Sequence, residues 1–297
     1  MPGAFAPGMS VGAPPDMYSQ QGQNWAQPPW SPRSLAQMGY APLRDMLRSV
    51  LSYAGAVRID HILGLFRLWW IPEGMGAQSG AYVSYDHEAM VGIVLLEAQR
   101  AGAVVIGEDL GTVEPWVRGY LNDRGILGTS VLWFEKEGSG WPLWPDHYRR
   151  SCLAAVTTHD LPPTLGYLEG VHTQLRNRLG LLVEDLDQVL EADRVERERM
   201  ESRLKEGGFI HSENPSEEDL VLGFHAYLAA SPALLLAVSL VDAVGEKAPQ
   251  NLPGTSDQYP NWCIPLHGSD GEEARIEDLA GSAKVQAFLS KVNRYVR

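Results

Sequence analysis

Three acidic residues stand at or just after the ends of short apolar runs: Asp60 in Arg58-Ile59-Asp60, Glu108 in Ile106-Gly107-Glu108 and Asp160 in Thr158-His159-Asp160. Carboxylates gathered in this way suit glycosidic-bond chemistry, where one group protonates the leaving oxygen while another attacks the sugar carbon or activates water. The two tasks need opposite ionisation, so the environments must push the pKa values apart. Arg58 lies two residues before Asp60, and in an extended strand both side chains emerge on one face, where the guanidinium can hold Asp60 ionised as a nucleophile. Glu108 lacks such a neighbour and follows an apolar run and a glycine, a setting that raises a carboxyl pKa for general-acid work.

A metal-dependent reading competes, because Asp60-His61, Asp86-His87 and His159-Asp160 all pair an imidazole with a carboxylate. Adjacent residues on a strand point to opposite faces, however, and the His-x-His that would aim two rings inward does not occur in this chain. No metal is expected. No organic cofactor is expected either, since protonation itself activates the glycosyl group. Taken singly, Asp109, Glu135 and Asp242 read as helix caps or surface acids.

What must position the three acids is a set of short buried strands. Apolar runs at 56–60, 103–107, 128–134, 152–157 and 234–240 predict five of them, and helical spacing at 42–54, 88–100 and 114–123 predicts helices between. Short buried strands alternating with helices describe an α/β fold with a parallel sheet. Parallel barrels collect catalytic residues from the C-terminal ends of several strands, which is where these acids fall. Residues 1–35, rich in Gly, Pro, Gln and Trp, show neither periodicity and predict a long loop. In the stretch 171–220, charges of both signs interleave with Leu and Val at helical spacing, which predicts exposed helices. There Asn214-Pro215 breaks the pattern, and Ser216 with Asp219 is close to a capping box.

Composition narrows the partners. Lys and Arg number 24 against 37 Asp and Glu, a net charge of -13, which opposes binding to nucleic acid or to an anionic membrane surface. With 44% hydrophobic residues the chain can bury a sizeable core, and no run approaches the roughly 18 apolar residues of a membrane span. The first residues carry no basic n-region or apolar h-region, so a cytoplasmic location is expected. Cys152 and Cys263 are too few for a disulfide framework and read as packing residues. The 9 Trp and 11 Tyr outnumber the 6 Phe, so most aromatic rings carry a polar handle suited to sugar faces. Tyr18, Trp25, Trp30 and Tyr259 lie in Pro/Gly-rich segments where such binding is plausible, and Gln23, Asn24 and Asn251 can hydrogen-bond hydroxyls.

Six blocks, Gly12-Ala13-Pro14-Pro15-Asp16, Gly22-Gln23-Asn24-Trp25, Arg58-Ile59-Asp60-His61-Ile62-Leu63-Gly64, Gly107-Glu108-Asp109-Leu110-Gly111, Thr158-His159-Asp160 and Asn251-Leu252-Pro253-Gly254-Thr255, together resemble the amylomaltase family. These are the bacterial 4-alpha-glucanotransferases, glycoside hydrolase family 77. The resemblance spans nearly the whole chain. It implies a TIM (β/α)8 barrel that moves a segment of an alpha-1,4-glucan to a new 4-hydroxyl through a covalent intermediate. Its implied partners are alpha-1,4-glucans and maltooligosaccharides. It implies Asp60 as nucleophile, Glu108 as acid/base and Asp160 as the carboxylate that steadies the distorted sugar. Arg58 and His159 match flanking subsite residues, and His61, Trp25, Tyr18 and Asn251 are expected to bind substrate beside them.

The barrel of that family has eight strands, and five are found here, the last five in family order. Residues 1–297 therefore read as the C-terminal part of the catalytic barrel, beginning after its third strand, with 1–35 as the substrate-covering loop and 171–220 as a helical insertion. Two open parallel edges predict poor solubility or association of the isolated chain. A hydrolase of the same barrel class and a catalytically incomplete fragment stay open as alternatives.

Overall fold

The computed structural model of this chain describes residues 3–15, 21–111 and 113–296. They fall into two compact units, Met1–Thr129 and Ser130–Arg297.

The first unit contains, in order, β1 (Met9–Ala13), β2 (Gln23–Gln27), α1 (Pro32–Gln37), α2 (Ala41–Leu51), β3 (Ala56–Ile59), β4 (Arg67–Pro72), β5 (Ala81–Ser84), α3 (His87–Ala101), β6 (Val104–Gly107) and α4 (Pro115–Asn122). Strand β7 (Gly128–Val131) leads into the second unit. β3 and β6 pair in parallel, from Ala56 opposite Val104 to Ile59 opposite Gly107. The connection between them runs through α3, whose start and stop are written locally. The Asp86 side chain accepts the Ala89 N–H at its N-terminus, and Gly102 ends it in a left-handed conformation with φ 64°. Leu43, Leu47 and Leu51 of α2 recur at helical spacing and pack with Val91, Val94, Val105 and Ile62 in one core. Each such side chain contributes about 1.5–3 kcal/mol when fully buried.

Residues 1–35 depart from the expected loop, because β1 and β2 lie within them and join an antiparallel sheet of order β2-β1-β4-β5. Two features hide these strands in the sequence. β1 pairs with a remote segment, Val11 opposite Trp70, and its register slips at a bulge between Val11 and Gly12. A Cβ at Gly12 would stand 1.9 Å from the Gln23 carbonyl oxygen, so the bulge requires glycine. Trp30 is partly buried and packs against the core of this unit. Its ring stacks on Phe5 at 4.6 Å, and its carbonyl accepts the Tyr85 hydroxyl at 2.8 Å. Asp109 is neither a cap nor a surface acid. It is buried, accepts the Thr129 N–H at 2.9 Å and lies 3.6 Å from the Arg118 guanidinium.

The second unit adds β8 (Cys152–Ala155), α5 (Thr164–Leu168), α6 (Val171–Arg178), α7 (Leu186–Glu206), α8 (Glu217–Ala229), β9 (Leu235–Ala237), α9 (Leu240–Val244), α10 (Ile276–Leu279) and α11 (Ala283–Asn293). Its sheet has the order β7-β8-β9, with β8 and β9 parallel. α7 is largely exposed, burying only Met200 and Leu204 and carrying an Arg194–Glu191 pair at 2.6 Å on its outer side. The capping box of α8 is complete: Ser216 Oγ accepts the Asp219 N–H and Asp219 Oδ2 accepts the Ser216 N–H. Phe224, Tyr227 and Leu228 of that helix are fully buried. Two expectations are corrected in this unit. Cys263 is exposed while Cys152 is buried, and Asp242 is buried within α9, whose N-cap is Ser239. Among the described residues no helix is long and apolar enough to cross a membrane.

Candidate active site

The first unit holds Asp60 and Glu108 on neighbouring strands. Asp60 follows the last residue of β3 and Glu108 follows the last residue of β6, so the register that sets Ile59 opposite Gly107 brings the two acids to one sheet edge. Backbone bonds fix the pair of loops: the Glu108 N–H donates to the Ile59 carbonyl at 2.9 Å, and the Ile62 N–H donates to the Glu108 carbonyl at 2.9 Å. Gly107 permits this approach, because a Cβ there would stand 2.5 Å from Ile62 Cδ1.

The two carboxyls meet different surroundings. Arg58 Nη1 lies 2.6 Å from Asp60 Oδ1, the contact expected of residues two apart on one strand face, and Asp60 itself is exposed. Glu108 is half-buried, and that burial raises its carboxyl pKa, with the Asp60 carboxylate adding to the rise. The Leu110 N–H, donating at 2.7 Å, and the His61 N–H, donating at 2.9 Å, oppose the rise without cancelling it, as does the Arg58 guanidinium. The arrangement favours the protonated form of Glu108 beside an arginine-paired Asp60. His61 takes a left-handed conformation, φ 44°, and its ring meets the half-exposed indole of Trp25 edge to face at 5.4 Å. Burial lowers the His61 pKa against the opposing Asp60 charge, which favours the neutral ring.

Asp160 belongs to the second unit and lies five positions beyond the end of β8, in a loop rather than at the strand end itself. His159 Nε2 is 3.1 Å from Asp160 Oδ2, and Asn251 Nδ2 donates to Asp160 Oδ1 at 2.7 Å. The expected third carboxylate and two of the expected binding residues thus meet in one cluster. Trp262, which the sequence reading passed over, joins them: its ring lies 5.7 Å from that of His159 and is largely exposed. The surrounding turn, with Asn261 Oδ1 accepting the Leu252 N–H at 2.8 Å, was legible only as a Pro/Gly-rich stretch. Tyr259 is half-buried and donates to the Pro249 carbonyl, which makes it part of that turn. Gln23 and Asn24 serve β2 itself, accepting from Trp25 Nε1 and from the Ala26 N–H. Tyr18 lies outside the described residues. Among the described residues no group of three or more His, Cys, Asp or Glu is placed to hold a metal ion.

Residues 1–270 match the model of the family described as 4-alpha-glucanotransferase, glycoside hydrolase family 77. The chain belongs to this family. A protein named 4-alpha-glucanotransferase in Mycobacterium tuberculosis is 53% identical over 280 residues, 93% of this chain and 39% of that protein. Its namesake in Haemophilus influenzae is 37% identical over 273 residues, 89% of this chain and 39% of that one. The chain therefore spans about two fifths of the length of these relatives. Among solved structures, the amylomaltase from Corynebacterium glutamicum matches with a TM-score of 0.92 at 47% identity, covering 98% of this chain and 43% of that one. The amylomaltase from Streptococcus agalactiae in complex with acarbose matches at 0.72 and 20% identity, over 99% and 53%, and bears on the fold alone. The chain accordingly has the α/β fold of part of a family 77 (β/α)8 barrel.

Proposed function

We propose that this chain carries the reacting carboxylates of a 4-alpha-glucanotransferase acting on alpha-1,4-glucans and maltooligosaccharides. The observation that supports it most is the pairing of Asp60, held by Arg58 at 2.6 Å, with Glu108, raised in pKa by burial, on adjacent parallel strand ends. In the first step Asp60 attacks the anomeric carbon, the bond from C1 to the bridging O4 breaks, and Glu108 gives its proton to the departing O4. In the second step the 4-hydroxyl of an acceptor sugar attacks C1, its proton passes to Glu108, and the bond to Asp60 breaks. Two inversions give retention. No metal or organic cofactor enters either step.

Asp160 supplies the third carboxylate, oriented by Asn251 and His159, and accepts hydroxyls of the distorted sugar. Trp25 with His61 and Trp262 with His159 each join an exposed indole to an imidazole, a surface on which a pyranose face can stack. Residues 1–35 with Tyr18 cover the bound glucan and favour sugar over water as acceptor, and the protein works in the cytoplasm. Incubation of the chain with pure maltotriose, with products sized over time, tests this reading. Glucose with maltotetraose and longer chains is expected. Glucose and maltose alone would assign a hydrolase instead, and no product would remove the activity from this chain.

A further inference from the structure

Asp242 is fully buried, yet it is a carboxyl, and a residue that only fills space there would be apolar. Its two oxygens accept two bonds from one residue, the Thr164 N–H and the Thr164 hydroxyl, each at 2.7 Å. Thr164 opens α5, and the N-cap position before it is Pro163, whose side chain cannot accept a hydrogen bond. Asp242, from α9, therefore takes the capping role that the local sequence lacks. Behind it His225 Nε2 lies 3.4 Å from Asp242 Oδ2, while His225 Nδ1 faces the Val221 carbonyl at 2.9 Å.

Thr164 is four residues past Asp160, with Pro162 and Pro163 between, so φ is fixed at two of the intervening positions. The same loop is closed on itself by Thr157 Oγ1, which donates to the Pro162 carbonyl at 2.9 Å. The segment that begins at Asp242 makes two further contacts, one with α5 and one with the loop. Gly166 packs against it so closely that a Cβ would stand 2.1 Å from the Lys247 carbonyl oxygen, and Asn251 donates to Asp160 at 2.7 Å. One segment after β9 thus holds both the start of α5 and the Asp160 loop that precedes it.

We propose that Asp242 is a positioning residue for Asp160, acting through Thr164 and the intervening prolines to fix the carboxylate that Asn251 grips from the other side. This rests on the reading of Asp160 as the third carboxylate of the proposed transferase.

The test uses the full chain. Thr164→Val removes the hydroxyl bond and keeps the shape, and Thr164→Ser restores the bond. For maltotriose disproportionation, Thr164→Val is expected to lower kcat by about tenfold or more and to change KM by less than about twofold. Thr164→Ser is expected to recover the rate, and Thr164→Val is expected to add no loss in an Asp160→Asn background. A Thr164→Val chain that melts earlier with kcat intact, or that loses the same factor with and without Asp160, would overturn the proposal. If the wild-type chain shows no turnover, the proposed function fails, and the side-chain amide NMR signals of Asn251 decide the positioning separately. They are expected to shift in Thr164→Val toward their position in Asp160→Asn, and unmoved signals would overturn it.

Discussion

His61 donates its backbone N–H to Glu108 Oε2 across 2.9 Å, and it does so from a left-handed conformation with φ 44°. A non-glycine residue in that region costs of order 1 kcal/mol, so the neighbouring contacts must hold it there. Among them are the Ile62 N–H bond to the Glu108 carbonyl and the burial of Ile62 against Gly107. The geometry around the proposed acid/base thus depends on a residue that carries no side chain.

Gly107→Ala would place its Cβ 2.5 Å from Ile62 Cδ1 and 2.9 Å from Ile62 Cγ2. Ile62 is fully buried, so any movement of it must displace its core neighbours. Overpacking of this kind costs about 1–3 kcal/mol, so the urea midpoint is expected to fall. Because Ile62 adjoins His61, transfer activity measured well below that midpoint is expected to fall as well. An unchanged midpoint would show that the loop yields freely.

The raised pKa of Glu108 has a signed consequence. A carboxyl whose folded pKa exceeds its usual value of 4.5 contributes stability that is full below that value and is lost as pH rises through the folded pKa. Glu108→Gln is expected to flatten the stability profile over that window. Since the Asp60 carboxylate is one cause of the rise, Asp60→Asn is expected to lower the Glu108 pKa, read from the side-chain carboxyl carbon by NMR titration. A pKa that stays put or rises would mean that the two groups do not sense each other.

Trp25 and Trp262 are expected to bind substrate rather than to hold the fold, because each leaves much of its ring exposed. Trp262→Ala and Trp25→Ala should each raise KM for maltotriose several-fold, consistent with about 0.5–1.5 kcal/mol for an aromatic contact, with melting temperature nearly unchanged. Equal KM values would assign the rings to some other surface.

The two thiols separate cleanly. Cys263 is exposed and Cys152 is buried, donating to the Arg149 carbonyl. One thiol per chain is expected to react promptly with a disulfide reagent, and the second only on unfolding. Two fast thiols in the native protein would contradict the packing of β8.

β6, β8 and β9 could be read from sequence because each is a short apolar run, whereas β3 and β7 carry Arg58 and Thr129-Ser130 within theirs, and Asp60 and Glu108 could be read because each directly follows its strand. The antiparallel sheet could not. β4 shows no burial alternation, β2 is almost wholly exposed, and β1 depends on a bulge and a distant partner. Asp109 and Asp242 were misread for a related reason. A buried acid looks like any loop acid until its partners, Thr129 and Thr164, arrive from elsewhere in the chain. Trp262 escaped because its contact with His159 joins residues more than a hundred positions apart.

In the proposed mechanism Asp60 becomes covalently glycosylated while Glu108 moves the proton. Maltosyl fluoride tests it directly in the Glu108→Gln chain, since fluoride departs without a proton donor whereas release of the sugar needs the missing base. As the C1–F bond breaks and a bond from C1 to Asp60 forms, the glycosylated chain is expected to accumulate. Mass spectrometry of its peptides should then show a maltosyl addition on Asp60 and none when Asp60→Ala is added. An adduct on Asp160, or no adduct from a chain whose wild-type form turns over the same fluoride, would contradict the account.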